Sequence, residues 1–384
     1  MDYGSEDSIF KIQEYKNEGK GLAFKHNITT VDDVIAAEYP VIAYKHRFSK
    51  LTTLSCDYCF KCVGSLNDYI NHLCEIYPKL KCHAIRSIIF DTKLSDFINC
   101  ARGCGNIYCS SFCYQKSIDN GHDVICKMDD ISKRYWDEFE RYSMGISETF
   151  IFAGLIVVQI LHKYVNQNCE LKDQMNYYLE FYNRPWHEIK QIEKCKSEEC
   201  IGIALTLLTK SLSEYTNTNR INVDEILSSK FYSKIMGMIE LVAIDIEVES
   251  GHNELIFSNI KNVDKNAWKQ LLTLKELMDG LDHSTLMDYD TQQYIQKFGD
   301  EIIPDTLGLG IFNTFSRMNH SCMPNLEVNY HNNFLARAKL LSAVSSGDQA
   351  YISYIDEQLP TRYRKRLLSK YLFKCKCKKC INYD

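Results

Sequence analysis

Four short pairs of metal-binding side chains follow one another in the chain: Cys56-x2-Cys59, Cys100-x3-Cys104, Cys109-x3-Cys113 and His122-x3-Cys126. Zinc takes four tetrahedral ligands from thiolate and imidazole, and a separation of two to four residues lets one turn of chain offer two of them to one ion. Eight ligands in four pairs make two full sites, and cysteines scattered through a core by chance account poorly for that order. A further cluster, Cys375-x-Cys377-x2-Cys380, supplies three thiolates and needs a fourth from a distance. Cys322 is the candidate, with a buried free thiol as its plainer reading. The first ten residues carry Asp2, Glu6 and Asp7 where a secretory signal would carry positive charge and then an apolar run. In the reducing compartment this implies, seventeen cysteines speak for metal rather than for a disulfide framework.

About 40 residues separate Cys59 from Cys100, and they hold Cys62, His72, Cys74, Cys82 and His83. These could form an additional metal site, although structural thiols and surface histidines are the plainer reading. The C-terminal tail carries Arg362, Arg364, Lys365, Arg366, Lys370, Lys374, Lys376, Lys378 and Lys379. Four thiolates on a divalent zinc leave a charge of about −2 for such cations to offset, and the remainder would form a solvated face. The whole chain has a net charge of −5, which speaks against a nucleic-acid binder held by global electrostatics.

A chain of 384 residues, 45% hydrophobic and 25% charged, has room for two or three soluble units. Short strands are expected at Leu22-Ala23-Phe24, Val34-Ile35-Ala36 and Val41-Ile42-Ala43. From about Lys127 to Asp290 the pattern turns helical, with Trp136, Phe139 and Tyr142 in helical spacing and an apolar stretch from Phe231 to Ile246. The longest apolar run, Phe150 to Leu161, is shorter than the roughly 20 residues of a bilayer span and reads as a buried helix. Strands resume at Leu326-Glu327-Val328, Phe334-Leu335-Ala336 and Tyr351-Ile352-Ser353-Tyr354.

The four pairs from Cys56 to Cys126, with Tyr108-Cys109-Ser110-Ser111-Phe112-Cys113-Tyr114-Gln115 and the closing His122 and Cys126, resemble a MYND finger. Gly19-Lys20-Gly21-Leu22-Ala23, Gly308-Leu309-Gly310-Ile311-Phe312, Asn319-His320-Ser321-Cys322-Met323-Pro324-Asn325, Ser353-Tyr354-Ile355-Asp356 and Tyr371-x-Phe373-x-Cys375-x-Cys377-x2-Cys380 look, in that order, like a SET domain of the SMYD family. The resemblance implies an α+β fold. A SET-type β fold (residues 1–50 and 301–370) would be split by a MYND finger with a long insertion (51–127) and a helical insertion (128–300), and closed by a post-SET zinc motif (371–384). It implies interleaved zinc sites, Cys56 and Cys59 with Cys109 and Cys113, Cys100 and Cys104 with His122 and Cys126, and three structural zinc ions in all. The chain stops four residues past Cys380, so the helical-repeat C-terminal domain of many family members is expected to be absent and the substrate groove more open.

The implied activity is S-adenosylmethionine-dependent methylation of a lysine on a histone or another protein. Tyr371 would be the catalytic tyrosine and Tyr354 its partner in the lysine channel. Lys20, Gly21, Asn319, His320, Tyr354 and Phe373 would contact the cofactor. Glu18 and Gln296 depart from the family pattern, standing where a basic residue and an Asn are common. The competing reading is a catalytically silent scaffold whose finger recruits proline-rich peptides. A monomer in the nucleus, the cytoplasm or both is expected, with neither nucleic acid nor membrane as partner.

Overall fold

The computed structural model describes residues 8–16, 18–76, 93–253 and 303–381. The architecture is α+β, and its β part joins the two ends of the chain. Strands β1 (Phe10–Tyr15) and β2 (Gly19–Phe24) form an antiparallel hairpin. That sheet continues to β12 (Gln349–Ile352) and, through a parallel pairing, to β9 (Asn319–His320). A second sheet has the order β10 (Leu326–Asn329), β11 (Ala336–Leu340), β3 (Val34–Glu38), and a third has β4 (Ile42–Lys45), β8 (Thr306–Ile311), β7 (Ile244–Val248). Each of these sheets pairs a strand from residues 10–45 with one from beyond residue 305, so the chain between leaves one β unit and returns to it.

Gly308 shows why glycine stands in β8. A Cβ there would lie 2.4 Å from the Tyr44 carbonyl oxygen on β4 and 2.5 Å from the Phe60 ring, which follows Cys59 in the first cysteine knuckle. The close approach seats the knuckle on the sheet.

The helical part is built on α5 (Asp130–Met144), α6 (Thr149–Asn166), α9 (Lys194–Thr218) and α10 (Ser229–Val242), with the shorter α7 (Leu171–Leu179) and α8 (Trp186–Lys190) between α6 and α9. Polar caps start two of them: the Asp129 carboxylate accepts from Ser132 N and the Ser228 hydroxyl from Phe231 N, satisfying amides that the helix leaves open. Trp136 and Phe139 face inward from α5. The apolar run sits in α6, a helix long and apolar enough by composition to cross a bilayer, yet 72% buried inside the fold. Its Phe150, Phe152, Ile156, Val157 and Leu161 are buried in the helical core, each contributing roughly 1.5–3 kcal/mol of transfer free energy.

The apolar stretch expected to stay helical to Ile246 does not. The helix ends at Val242, Ala243 is extended, and Ile244-Asp245-Ile246-Glu247-Val248 forms β7 against β8. Apolar side chains at every second position suit an edge strand with one face on the core. Two smaller shifts accompany it: the strand expected at residues 334–336 begins at Ala336, and the one expected at 351–354 ends at Ile352. Residues 254–300 of the expected helical insertion lie outside the described residues.

Candidate active site and metal clusters

Three tetrads of ligand atoms come together: Cys56, Cys59, Cys109 and Cys113; Cys100, Cys104, His122 and Cys126; and Cys322, Cys375, Cys377 and Cys380. Local structure delivers each. Strand β6 (Ile107–Tyr108) hands over Cys109, and the Ser110 hydroxyl caps α3 (Ser111–Asp119) by accepting from Cys113 N at 3.2 Å, which turns that sulfur inward. Gly121, at φ 96°, breaks the chain between α3 and α4 (His122–Cys126), a conformation that side chains rarely adopt. The turn presents His122 to Cys100.

Distances test the fit to zinc. Sulfur separations are 3.6 Å for Cys59–Cys109, 3.4 Å for Cys109–Cys113, 3.6 Å for Cys100–Cys126, 3.6 Å for Cys322–Cys380 and 4.0 Å for Cys322–Cys375. His122 Nε2 lies 3.4 Å from Cys100 Sγ and 3.7 Å from Cys104 Sγ. Four sulfurs at about 2.3 Å from a tetrahedral zinc stand about 3.8 Å apart, whereas a disulfide would bring two to about 2.05 Å. The described cysteines are free thiols. Contacts with Cys113 first, then Cys56 and Cys59, hold the Cys109 thiol well below its ordinary range, while Cys109 first pushes Cys59 and Cys113 up. At the third tetrad the buried Arg364 sends Nη2 to within 3.7 Å of Cys380 Sγ. Among the described residues Cys62, His72 and Cys74 join no tetrad; Cys62 instead turns to Thr306 and the Glu249 carbonyl. Cys82 and His83 lie outside the described residues, as does Gln296.

Beside the third tetrad four rings cluster. Tyr354 and Tyr371 lie 5.0 Å apart between centroids, His320 lies 5.3 Å from Tyr354, and Phe373 lies 5.9 Å from His320 and 6.4 Å from Tyr354. Tyr371 closes a 3-10 turn, Ser369–Tyr371, after α11 (Thr361–Leu368), and Leu372 follows in the left-handed region at φ 63°. A non-glycine residue there costs roughly 1–2 kcal/mol. That strain redirects the chain between Tyr371 and Phe373. The Tyr354 hydroxyl donates to the Met318 carbonyl at 2.5 Å, and burial first, with the Glu18 charge second, pushes its titration far up. It remains a neutral hydroxyl throughout the working range of an enzyme.

His320 links rings and metal cluster. Its Nδ1 accepts from Tyr354 N at 3.0 Å, which leaves the proton on Nε2, 3.3 Å from Cys322 Sγ. Burial and then the Arg364 charge push the imidazole down to about 4, so it is neutral. The side chain expected near a cofactor is thus engaged with a cysteine and with the Tyr354 backbone.

The other sequence candidates gather around Gly21. A Cβ on Gly21 would meet Asn319 Nδ2 at 2.6 Å and Gln349 Nε2 at 2.8 Å. Both amide nitrogens are buried without a hydrogen-bond partner, a costly arrangement unless a polar ligand completes it. The Tyr351 hydroxyl lies 2.7 Å from the Gln349 amide oxygen and 3.0 Å from the Glu18 carboxylate, which aims the Gln349 nitrogen at Gly21. Asn325 clamps the strand beneath, accepting from Tyr351 N and donating to the Gln349 carbonyl, both at 2.8 Å. Lys20 is exposed on β2, and strand alternation sends its side chain to the face opposite Gly21. Sequence reasoning missed Gln349 and Tyr351. Their signal was their shared face, two residues apart in a strand, but it acquires meaning only once β12 lies beside β2 and β9.

No family model matches the chain. It is 21% identical to histone-lysine N-methyltransferase ATXR2 of Arabidopsis thaliana over 445 residues, covering 96% of this chain and 90% of that protein. It is 22% identical to protein-lysine N-trimethyltransferase SMYD5 of Mus musculus, covering 95% and 84%. A shorter match of higher identity, 38% over 106 residues, joins it to N-lysine methyltransferase SMYD2-B of Danio rerio, covering 27% of this chain and 24% of that protein. Along nearly its whole length the chain is thus similar to protein-lysine methyltransferases, SMYD-family members among them, and three tetrads of potential metal ligands converge in its fold.

Proposed function

We propose that the protein is an S-adenosylmethionine-dependent protein-lysine N-methyltransferase. The observation that carries the reading is the pair of tyrosines, Tyr354 and Tyr371, 5.0 Å apart, together with the two buried, unpartnered amides of Asn319 and Gln349 close to the Gly21 backbone. The residues present fit the cofactor: Gly21 lets the Asn319 and Gln349 amides close on its backbone, those amides offer two donors, and Phe373 offers an aromatic face. Bound there, S-adenosylmethionine would supply an electrophilic methyl group on a sulfonium. The chain's own contribution is positioning. Tyr354, held by Met318 O through its hydroxyl and by His320 through its amide, and Tyr371, held at the end of its turn, orient a neutral lysine amine, and their oxygen dipoles stabilise positive charge near the transferring methyl.

The three tetrads are proposed as structural zinc sites. Residues 1–50 and 301–370 form the split SET unit, 51–127 the MYND finger with its insertion, 128–300 the helical insertion and 371–384 the post-SET motif. Pairing of β2 with β12, β3 with β11 and β4 with β8 supports the split. The acceptor is a histone or another protein of the nucleus or cytoplasm. A proline-rich partner at the finger is a companion proposal, supported by Phe112, 64% exposed on α3 with Lys116 Nζ 5.8 Å from its ring.

Tritiated methyl donor mixed with the protein and a panel of histones and lysate proteins should label an acceptor, and Tyr371→Phe should reduce labelling at least about tenfold with cofactor-product binding retained. Elemental analysis should give about three zincs per chain. Equal labelling by the variant would remove Tyr371 from the reaction, and one zinc or none would overturn the ligand sets.

A further inference from the structure

Resting on the methyltransferase reading, we infer that the acceptor lysine is presented in an acidic peptide segment, held by a cationic stripe that runs along α11 and ends at Tyr371. Residues 361–381 contain nine Lys and Arg and no acidic residue, in a chain of net charge −5. Zinc thiolates account for little of this. Arg364 is buried and turned inward to Cys380 Sγ, and Lys379 Nζ donates to the Glu357 carbonyl at 2.7 Å. Arg362, Arg366 and Lys370 are exposed, and spacing of four residues puts them on one face of α11 and the turn that follows. Among the described residues none of the three pairs with a carboxylate.

The stripe leads to the reaction site. The Arg366 guanidinium lies 5.7 Å from the Tyr363 ring centroid, and Lys370 Nζ lies 5.4 Å from the Tyr371 centroid. Eight residues at about 1.5 Å rise span about 12 Å, the length of three or four residues of extended peptide. Carboxylates on a segment laid along it would face the three cations in turn while a neighbouring lysine reaches Tyr371. A Lys/Arg-rich segment would meet like charge at every step. Each exposed ion pair contributes only a few-fold, so three together amount to roughly tenfold, reduced by salt. Nucleic acid is the other polyanion such cations could hold, but a stripe this short that ends at a lysine-orienting tyrosine suits a peptide.

Fluorescence anisotropy on the full chain tests this without relying on turnover. The probes are fluorescein-labelled peptides of one length, each with a central lysine flanked by Asp/Glu, by Ser/Ala or by Lys/Arg, and a labelled DNA duplex. At about 0.1 M salt the acidic peptide should bind roughly tenfold more tightly than the neutral one. Arg362→Glu with Arg366→Glu should abolish that preference while S-adenosylhomocysteine still binds. Equal affinity for acidic and neutral peptides, a preference that survives the double substitution, or tighter binding of DNA than of the acidic peptide would each overturn the inference. Failure to methylate any peptide would instead count against the methyltransferase reading, which the binding measurement does not share.

Discussion

Replacing Gly21 by Ala separates cofactor binding from folding. Gly21 has no left-handed backbone, so alanine fits its conformation. The added Cβ would stand 2.6 Å from Asn319 Nδ2, 2.8 Å from Gln349 Nε2 and 3.3 Å from Tyr15 Cε2. All three are side-chain atoms, able to give way at a cost of about 1–2 kcal/mol in stability. When the two amides move, a bound ligand loses two hydrogen bonds worth about 1–1.5 kcal/mol each, or 2–3 kcal/mol in all. That is about 30- to 150-fold in Kd. Calorimetry with S-adenosylhomocysteine should therefore show a large loss of affinity, while thermal unfolding moves by only a few degrees. Unchanged affinity would refute the placement of the cofactor against Gly21. A collapse of thermal stability matching the loss of affinity would show that Gly21 serves packing instead.

A second glycine should behave in the opposite way. Gly308→Ala sets a Cβ 2.4 Å from a backbone carbonyl of a paired strand, which cannot swing aside, so a loss of about 3 kcal/mol by urea unfolding is expected; a near-neutral effect would mean that β8 and β4 can part. His252 should make stability depend on pH. It is buried beside the Tyr69 ring, 5.7 Å away, and burial pushes its imidazole from 6.5 down to about 4. Between those values the unfolded chain takes a proton that the native one refuses, so stability is full above about 6.5 and falls by up to about 3 kcal/mol as the pH drops to 4. His252→Gln should flatten that part of the profile, and identical slopes in both proteins would show that the imidazole is protonated in the fold.

The cysteine pairing was readable from spacing because a metal asks little of a fold beyond ligand type and reach: Cys56 finds Cys113 across more than fifty residues through the ion that both would bind. The strands at Leu22 and Val34 were readable too, since alternation and flanking turns are local signals. Strand β7 was not. Ile244, Ile246 and Val248 alternate, yet they follow directly on nine buried residues of α10, and an apolar run cannot announce where its period changes from 3.6 to 2. What ends the helix is the partner strand β8, about 60 residues further on. Gln349 escaped for a related reason. A glutamine in a short strand is ordinary until a parallel neighbour, Asn319-His320, is laid beside it.

The same nonlocality explains why a third tetrad of potential metal ligands should sit beside the proposed reacting groups. Cys322 belongs to the segment that holds Asn319 and His320, and Cys375, Cys377 and Cys380 to the one that holds Tyr371 and Phe373. Of the residues that join the segments Cys322, Leu368 and Cys380 are buried, while Tyr354, Ile355, Tyr371, Phe373, Cys375 and Cys377 pack against them partly buried. Four thiolates on one ion would fix both segments at once. His320 extends the constraint inward: a hydrogen bond at each ring nitrogen, one to Cys322 Sγ and one from Tyr354 N, ties the orientation of Tyr354 to the position of a metal ligand. The thiolates would then do more than close a tail. Through His320 and the turn at Leu372 they would set the distance between the hydroxyls proposed to orient the lysine.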